Sequence, residues 1–363
     1  MSAQRTAPVE SFDASADSHF QLYFYSVIAR LLAHVVAEHD RLAGLRSAFS
    51  FLDGYQALLA RYVDGDWSPA QQIGWWDDQI AQLEVRCAEH LPLRALRLDA
   101  GLSETDIRLL LAVGMVEEDV RFGALFAALQ EPLLARRPCI GLLGWCLALP
   151  DEPPLDLWVA AQRLIDAGLL LAENRADSRA EWLLRIPPAI WDGMTGRSQR
   201  KPLRGVIWQQ PHEFPPLDQL ILPGALRHQV AHLPALIEAG QLSALVLRGM
   251  TGSGRRTTLG AVARAHGRGL LLCERLDDDN RVLIGGLSSL LGALPVLRCN
   301  PPPGDTLDMA ALPGYGGCVG LTLGQAGGLR GDLMDSALTL HLPPPDAEAR
   351  ARFWALSGVP LAD

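Results

Sequence analysis

The stretch GMTGSGRRTT, Gly249 to Thr258, has the glycine spacing of a phosphate-binding loop, G-x-x-x-x-G-K-[ST]. Gly249 and Gly254 fill the two fixed positions, Gly252 adds a third small residue, and Thr251 and Ser253 add hydroxyls. Glycines permit the backbone angles that turn successive N–H groups inward around phosphate oxygens, and a following helix aims its partial positive end at the same place. Arg255 stands at the lysine position and Arg256 at the hydroxyl position that would ligate magnesium, with Thr257 one residue later. Arginine keeps the charge but is planar and bulkier than an ammonium. Thr257 cannot inherit the direction of residue 256, because a helix turns about 100° per residue. Lys201 is the only lysine in the chain, so no other can stand in. The candidate nucleotide-binding residues are Gly249, Thr251, Gly252, Ser253, Gly254, Arg255, Arg256 and Thr257, with ATP as the expected ligand and Mg2+ held poorly.

Hydrolysis by such a loop needs an apolar strand ending in an acid that holds magnesium and orients water. Glu274 ends an apolar run but follows the loop too soon. Asp277, Asp278 and Asp279 read as a solvated loop. The next apolar run, Leu294 to Leu297, is followed by Arg298, Cys299, Asn300 and Pro301, with no acid before Asp305. The acidic motif is missing, and no catalytic residue is assigned. Thr322, in CVGLTLGQ, is a candidate polar sensor. His228 and His232 share a helical face at i and i+4, but Gln229 stands where a metalloprotease places its general base and no third ligand is near, so no metal site is expected.

The elements that must position the loop are readable around it. ALVLRG (244–249) is a buried parallel strand, TTLGAVARAHG a helix stopping at Gly267, and GLLLCE (269–274) a second buried strand. Strand, glycine loop, helix and strand are the context a phosphate loop requires. CVGLTLGQ (318–325) and ALTLHL (337–342) read as further strands, and PPPDAEARARFWAL starts a helix. Upstream, KPLRGVIWQQPHEFPPLDQLILP is dense in proline and reads as an extended linker, followed by the helix GALRHQVAHLPALIEAG.

The first half is helical. FQLYFYSVIARLLAHVVAEHDRLAGL puts Leu22, Val27, Ile28, Leu31, Leu32, Val35 and Val36 on one broad face, and a second helix is expected over 47–63. Trp67, Trp75 and Trp76 read as helix-packing aromatics, with a partner-docking face as the sharper alternative. Ser103 followed by Asp106 forms a capping-box start. AGLLLAEN, RADSRA and EWLLRIP read as strand, turn and strand, so helices followed by one hairpin make a winged-helix-like module. Arg175 and Arg179 sit beside Asp177 and Glu181 in that hairpin, so duplex DNA is not the expected partner.

The expected fold class is multidomain α plus α/β. A disordered tail (1–18) precedes a helical N-terminal region (19–90), a winged-helix-like domain (91–200), a proline-rich linker (201–223) and a P-loop parallel sheet flanked by helices (224–363). The 363 residues carry a net charge of -9, which gives no overall attraction to nucleic acid. Cys87, Cys139, Cys146, Cys273, Cys299 and Cys318 contain no C-x-x-C pair and read as reduced, buried thiols of a cytoplasmic protein. No run is long and apolar enough to be read as a membrane span, and the first 18 residues lack a signal-peptide core.

LVLRGMTGSGRRTT, LHLPPPDAEARARFWAL, and LSETDIRLLLAVGMVEEDVRFGALFAALQ with RRPCIGLL together resemble an AAA+ ATPase module. More narrowly, they resemble the ATPase-like proteins encoded with extracellular contractile injection systems. The resemblance spans Ser18 to Leu356. It implies helical N-terminal segments, a winged-helix-like region and an AAA+ core. It makes Gly249 through Thr257 the nucleotide loop, places Thr322 near the first sensor strand, and leaves Arg330 as a poorly placed arginine-finger candidate. The chain stops at Asp363, before a helical lid could form, so a second sensor and the lid-side wall of the site are expected to be absent through truncation or decay. The function implied is an ATP-binding, weakly hydrolytic or inactive component in the assembly or regulation of a protein complex, here a contractile injection particle. Its partners would be proteins of that complex. An oligomer fits the family, although a lidless module should make a poor hexamer. The alternative is a non-catalytic scaffold whose P-loop fold survives as architecture and docks protein partners.

Overall fold

The computed structural model describes residues 12–37, 47–63, 67–275 and 277–356. It is mixed α/β, about half helical, and divides into two compact units that meet in sequence between Arg197 and Ser198. No helix among the described residues is long and apolar enough to cross a membrane.

The first unit contains helices α1 (Ala16–Ala37), α2 (Phe51–Leu59), α3 (Pro69–Arg86), α4 (Pro92–Asp99), α5 (Glu104–Glu118), α6 (Arg121–Leu129), α7 (Ile140–Leu147) and α8 (Trp158–Asp166). A short antiparallel hairpin, β1 (Leu171–Ala172) with β2 (Leu184–Arg185), and helix α9 (Pro188–Met194) complete it. Leu22, Val27, Ile28, Leu31, Leu32 and Val35 are buried as the sequence predicts, while the Val36 side chain lies outside the described residues. Tyr23, Ser26, Arg30 and His34 are buried as well. The single apolar face is thus too narrow a reading, because α1 packs against α2, α3, α4, α5 and α7 and is the centre of the unit. Helices of 19–90 and of 91–200 therefore share one core. Trp76 lies fully inside it, whereas Trp67 and Trp75 are half-buried.

Many polar groups inside this core are paired, although Trp76 Nε1 and Trp191 Nε1 have no hydrogen-bond partner among the described residues. Tyr23 Oη donates to Glu104 Oε2 (2.7 Å), and Arg97 donates to Glu84 (2.6 Å), which also meets His19 Nε2 (3.1 Å). Arg30 and Arg108 both reach Asp77, at 2.9 and 3.0 Å. The capping box of Ser103 and Asp106 forms at the start of α5.

The second unit is built on a six-stranded sheet. Its strands are β3 (Val206–Gln209), β4 (Ala244–Gly249), β5 (Gly269–Cys273), β6 (Ala293–Cys299), β8 (Val319–Leu323) and β10 (Ala337–Leu342). They lie in the order β10-β4-β8-β6-β5-β3, all parallel except edge strand β3. A separate small parallel pair, β7 (Thr306–Asp308) with β9 (Gly328–Arg330), has no signal in the sequence patterning. The helices are α10 (Gly224–Glu238), α11 (Arg255–Ala265), α12 (Asp278–Leu290) and α13 (Ala347–Leu356). Strands β5 and β8 are buried along their whole length, which is why they read as continuous apolar runs. Leu245, Leu247, Leu340 and Leu342 meet Val230, Leu233, Leu259 and Val262 in the core between the sheet, α10 and α11.

Two local readings change. Asp277 is not part of a free loop, since its side chain accepts from Asn280 N (2.8 Å) and caps α12, whose first turn takes in 278 and 279. The proline-rich stretch 201–223 is not an open linker. Val206–Gln209 supplies β3, and the Phe214 ring packs on Gly260 of α11. Arg264 donates to the Phe214 carbonyl, and Arg256 Nε donates to Gln209 Oε1 (2.8 Å).

Candidate functional site

Chain direction in the sheet creates a crevice beside the glycine loop. From β4 the chain crosses to β5 on one side, whereas from β8, the neighbour of β4, it crosses to β10 on the other. Such a reversal leaves a gap at the carboxyl ends of adjacent strands, where α/β sheets bind ligands. The loop 250–254 leaves β4 there and enters α11.

The glycines have specific reasons. Gly252 and Gly254 have φ of 83° and 85°, the left-handed region that side chains avoid. Gly249 is needed for close approach, because a Cβ there would lie 2.7 Å from Ser253 Oγ and 2.8 Å from the Leu342 carbonyl. Ser253 N donates to the Met250 carbonyl (3.1 Å), and Thr258 N to the Gly254 carbonyl (2.8 Å). Between these bonds, the amides of Gly254, Arg255, Arg256 and Thr257 have no backbone acceptor among the described residues. They are orphan donors of a helix start, carrying its partial positive charge. Ser253 Oγ is shielded from solvent and also lacks a partner among the described residues.

A cavity of about 880 Å³ opens against this loop. Gly252, Ser253, Gly254 and Thr257 form its polar floor. Ile221 and Leu222 line one side, and Pro343 to Pro345 with Phe353 of α13 line another. Residues 343–353 supply this second wall. Neither Arg255 nor Arg256 lines the cavity. Arg255 Nη1 donates to the Leu323 carbonyl at the end of β8 (2.5 Å), and Arg256 is tied to Gln209. Burial, and then the nearby Arg298 guanidinium, pull the Arg255 pKa below its usual value.

Thr322 is buried in β8, registered against Leu247 of β4 and Arg298 of β6. It is therefore brought next to the loop strand. Thr251 lies exposed on the loop, outside the cavity lining. Arg330 sits on β9 in an exposed pair with Asp308 (3.5 Å), an arrangement that offers nothing to the loop. His228 and His232 stack edge to face, 4.7 Å apart, on exposed turns of α10. Among the described residues no three His, Cys, Asp or Glu side chains converge as a metal group would require.

Sequence reasoning missed the cavity walls and the arginine anchors. The signals were present in LILPG and LPPPD, but they read as linker and helix entrance. It also missed Arg248, whose guanidinium holds the turn after β8 through the Gln325 (3.1 Å) and Gly327 (2.9 Å) carbonyls.

Comparison with known proteins finds no matching family, no matching curated protein and no matching solved structure.

Proposed function

We propose that this chain binds a nucleoside triphosphate, ATP in the first instance, at the loop 249–257. It hydrolyses the nucleotide weakly or not at all, and serves as an AAA+-like regulatory or assembly component of a protein complex. The observation that carries this reading is the set of unbonded loop and helix-start amides beside a cavity that Arg255 and Arg256 leave open. Phosphates fit the amides. The remaining volume, walled by Ile221, Leu222, Pro344 and Phe353, suits a base and ribose, and its size lies within the usual range for small-ligand pockets.

Further support comes from topology. Counted along the chain, the parallel strands lie in the order 5-1-4-3-2, with the loop on the first and Thr322 on the fourth. That is the arrangement an AAA+ core uses. The helices and hairpin of the first unit supply the winged-helix-like part of the same reading. The complex served is, on the sequence resemblance, a contractile injection particle. Free, buried cysteines suit a reducing cytoplasm.

Weak turnover follows from the residues at the sheet edge. Arg256 replaces the magnesium hydroxyl, and β6 ends in Arg298 and Cys299 without an acid. Calorimetric titration of ATP into the purified protein, with and without magnesium, tests the reading together with a phosphate-release assay. Binding in both conditions with negligible release is expected. Fast magnesium-dependent release would overturn the inactive part, and absence of heat with every nucleotide would overturn the whole.

The scaffold reading is favoured by one observation. Arg255 and Arg256 bond to protein acceptors, Leu323 and Gln209, and so serve the fold itself. Under that reading the first unit docks protein partners and nucleotide has no effect on them.

A further inference from the structure

Resting on the nucleotide reading, we propose that Arg298, with Arg255, takes the place of the metal ion. The loop then selects the metal-free form of a nucleoside triphosphate, whose terminal phosphate reaches past the cavity lining, which contains neither arginine, to the two guanidiniums.

Three observations lead there. First, Arg298 occupies the end of β6, where a hydrolytic P-loop sheet carries its metal-holding acid. Second, its side chain is on the loop's side of the sheet. Arg298, Thr322 and Leu247 form one cross-strand row, and Leu294, Val296, Leu245 and Leu247 on that face pack in the core with α11. The next residue of β6, Cys299, registers with Leu323, whose carbonyl receives Arg255. The two guanidiniums thus converge on the end of β8. Third, neither has an acidic partner among the described residues. Arg255 is bonded to a carbonyl, and Arg298 Nε reaches the Asn300 side-chain oxygen at 3.1 Å once that amide is turned to satisfy both its ends. Two like charges close enough for Arg298 to depress the Arg255 pKa, in a chain of net charge -9, call for an anion.

The charge arithmetic explains the substitution. A carboxylate holding a divalent cation contributes one net positive charge beside the terminal phosphates. A guanidinium contributes the same charge with no metal and adds directed donors. A magnesium–nucleotide complex would bring its cation against Arg298, so it should bind less well than the bare anion.

The test compares the full chain with Arg298→Gln by calorimetry. The probes are ATP with EDTA, ATP with excess magnesium, ADP with EDTA, and inorganic tripolyphosphate. Arg298 is exposed, so the variant should fold, and an unchanged unliganded melting curve checks this. For the parent, magnesium should weaken ATP binding. Arg298→Gln should weaken metal-free ATP and tripolyphosphate by about tenfold or more, the scale of a charge-assisted hydrogen bond, and ADP by much less. ATP binding that needs magnesium, or that ignores the substitution, would overturn this inference and leave the nucleotide reading standing. Tripolyphosphate bound through Arg298 without any binding of ATP or ADP would keep the cation pair and remove the nucleotide. If no probe binds, both fail.

Discussion

The Phe214 ring lies against the backbone of Gly260 so closely that a Cβ at that glycine would fall 2.1 Å from Cδ1. This contact fastens the proline-rich strap to α11, the helix whose start is the proposed phosphate site. Gly260→Ala should cost about 1–3 kcal/mol, the usual range for overpacking a tight contact. The damage should appear locally, as faster amide exchange over Val206–Gln209. Unaltered exchange there would show that the strap is held by other means.

Gly249 ends the strand that delivers the loop, under the Leu342 carbonyl and Ser253 Oγ. A methyl group at that point must push the loop away from β10 or twist it. Gly249→Ala is expected to weaken nucleotide binding by about tenfold or more while circular dichroism stays unchanged, since a small displacement misaligns every amide donor at once. Undiminished binding would move the ligand away from this loop.

Asp106 is fully buried and accepts from Ser103 N (2.7 Å), Ser103 Oγ (2.8 Å) and Arg163 Nη1 (2.6 Å). Removing it strips the helix cap and takes the acceptor from Ser103, which is exposed, and from Arg163, which is partly exposed. Asp106→Ala should destabilise the first unit by about 2–4 kcal/mol, discounted from a fully buried pair because Arg163 is partly exposed. A urea midpoint close to that of the parent would contradict this.

Glu84 gives the first unit a pH dependence of known sign. Burial raises its carboxyl, but the hydrogen bond from His19 and the charge of Arg97 outweigh burial and leave it below the usual 4.5. A carboxyl depressed by folding stabilises the fold when ionised. That contribution is complete above the unfolded value, about 4.3, and is lost as pH falls through the folded value. Glu84→Gln should therefore be less stable than the parent at neutral pH, and the two should converge in strong acid. A constant difference across that range would rule out this origin.

The strand, glycine turn and helix were legible in the sequence because their determinants are local. Glycines at 249, 252 and 254 act through the angles and close approaches of their own segment, and the apolar runs of β4, β5 and β8 announce strands buried on both faces, while edge strand β10 exposes Thr339 and His341. The same locality exposed the missing acid, since Arg298 directly follows the run that makes β6. The strap failed to show itself because proline density looks alike in a linker and in an edge segment pinned by one aromatic ring. The central position of α1 was hidden too, because a helix surrounded by five others buries residues all round it and loses the one-sided pattern.

Sequence alone therefore determined that residues 249–257 form a glycine turn between a strand and a helix, and that Arg255, Arg256 and Arg298 stand where a P-loop pattern has other residues. Tertiary structure decided where those arginines go. Arg255 meets Leu323 across 68 residues, Arg256 meets Gln209 across 47, and the cavity walls come from 221–227 and 342–353. Such partners are chosen by strand order and register. These depend on how the whole sheet packs, a property that no short window of side chains contains.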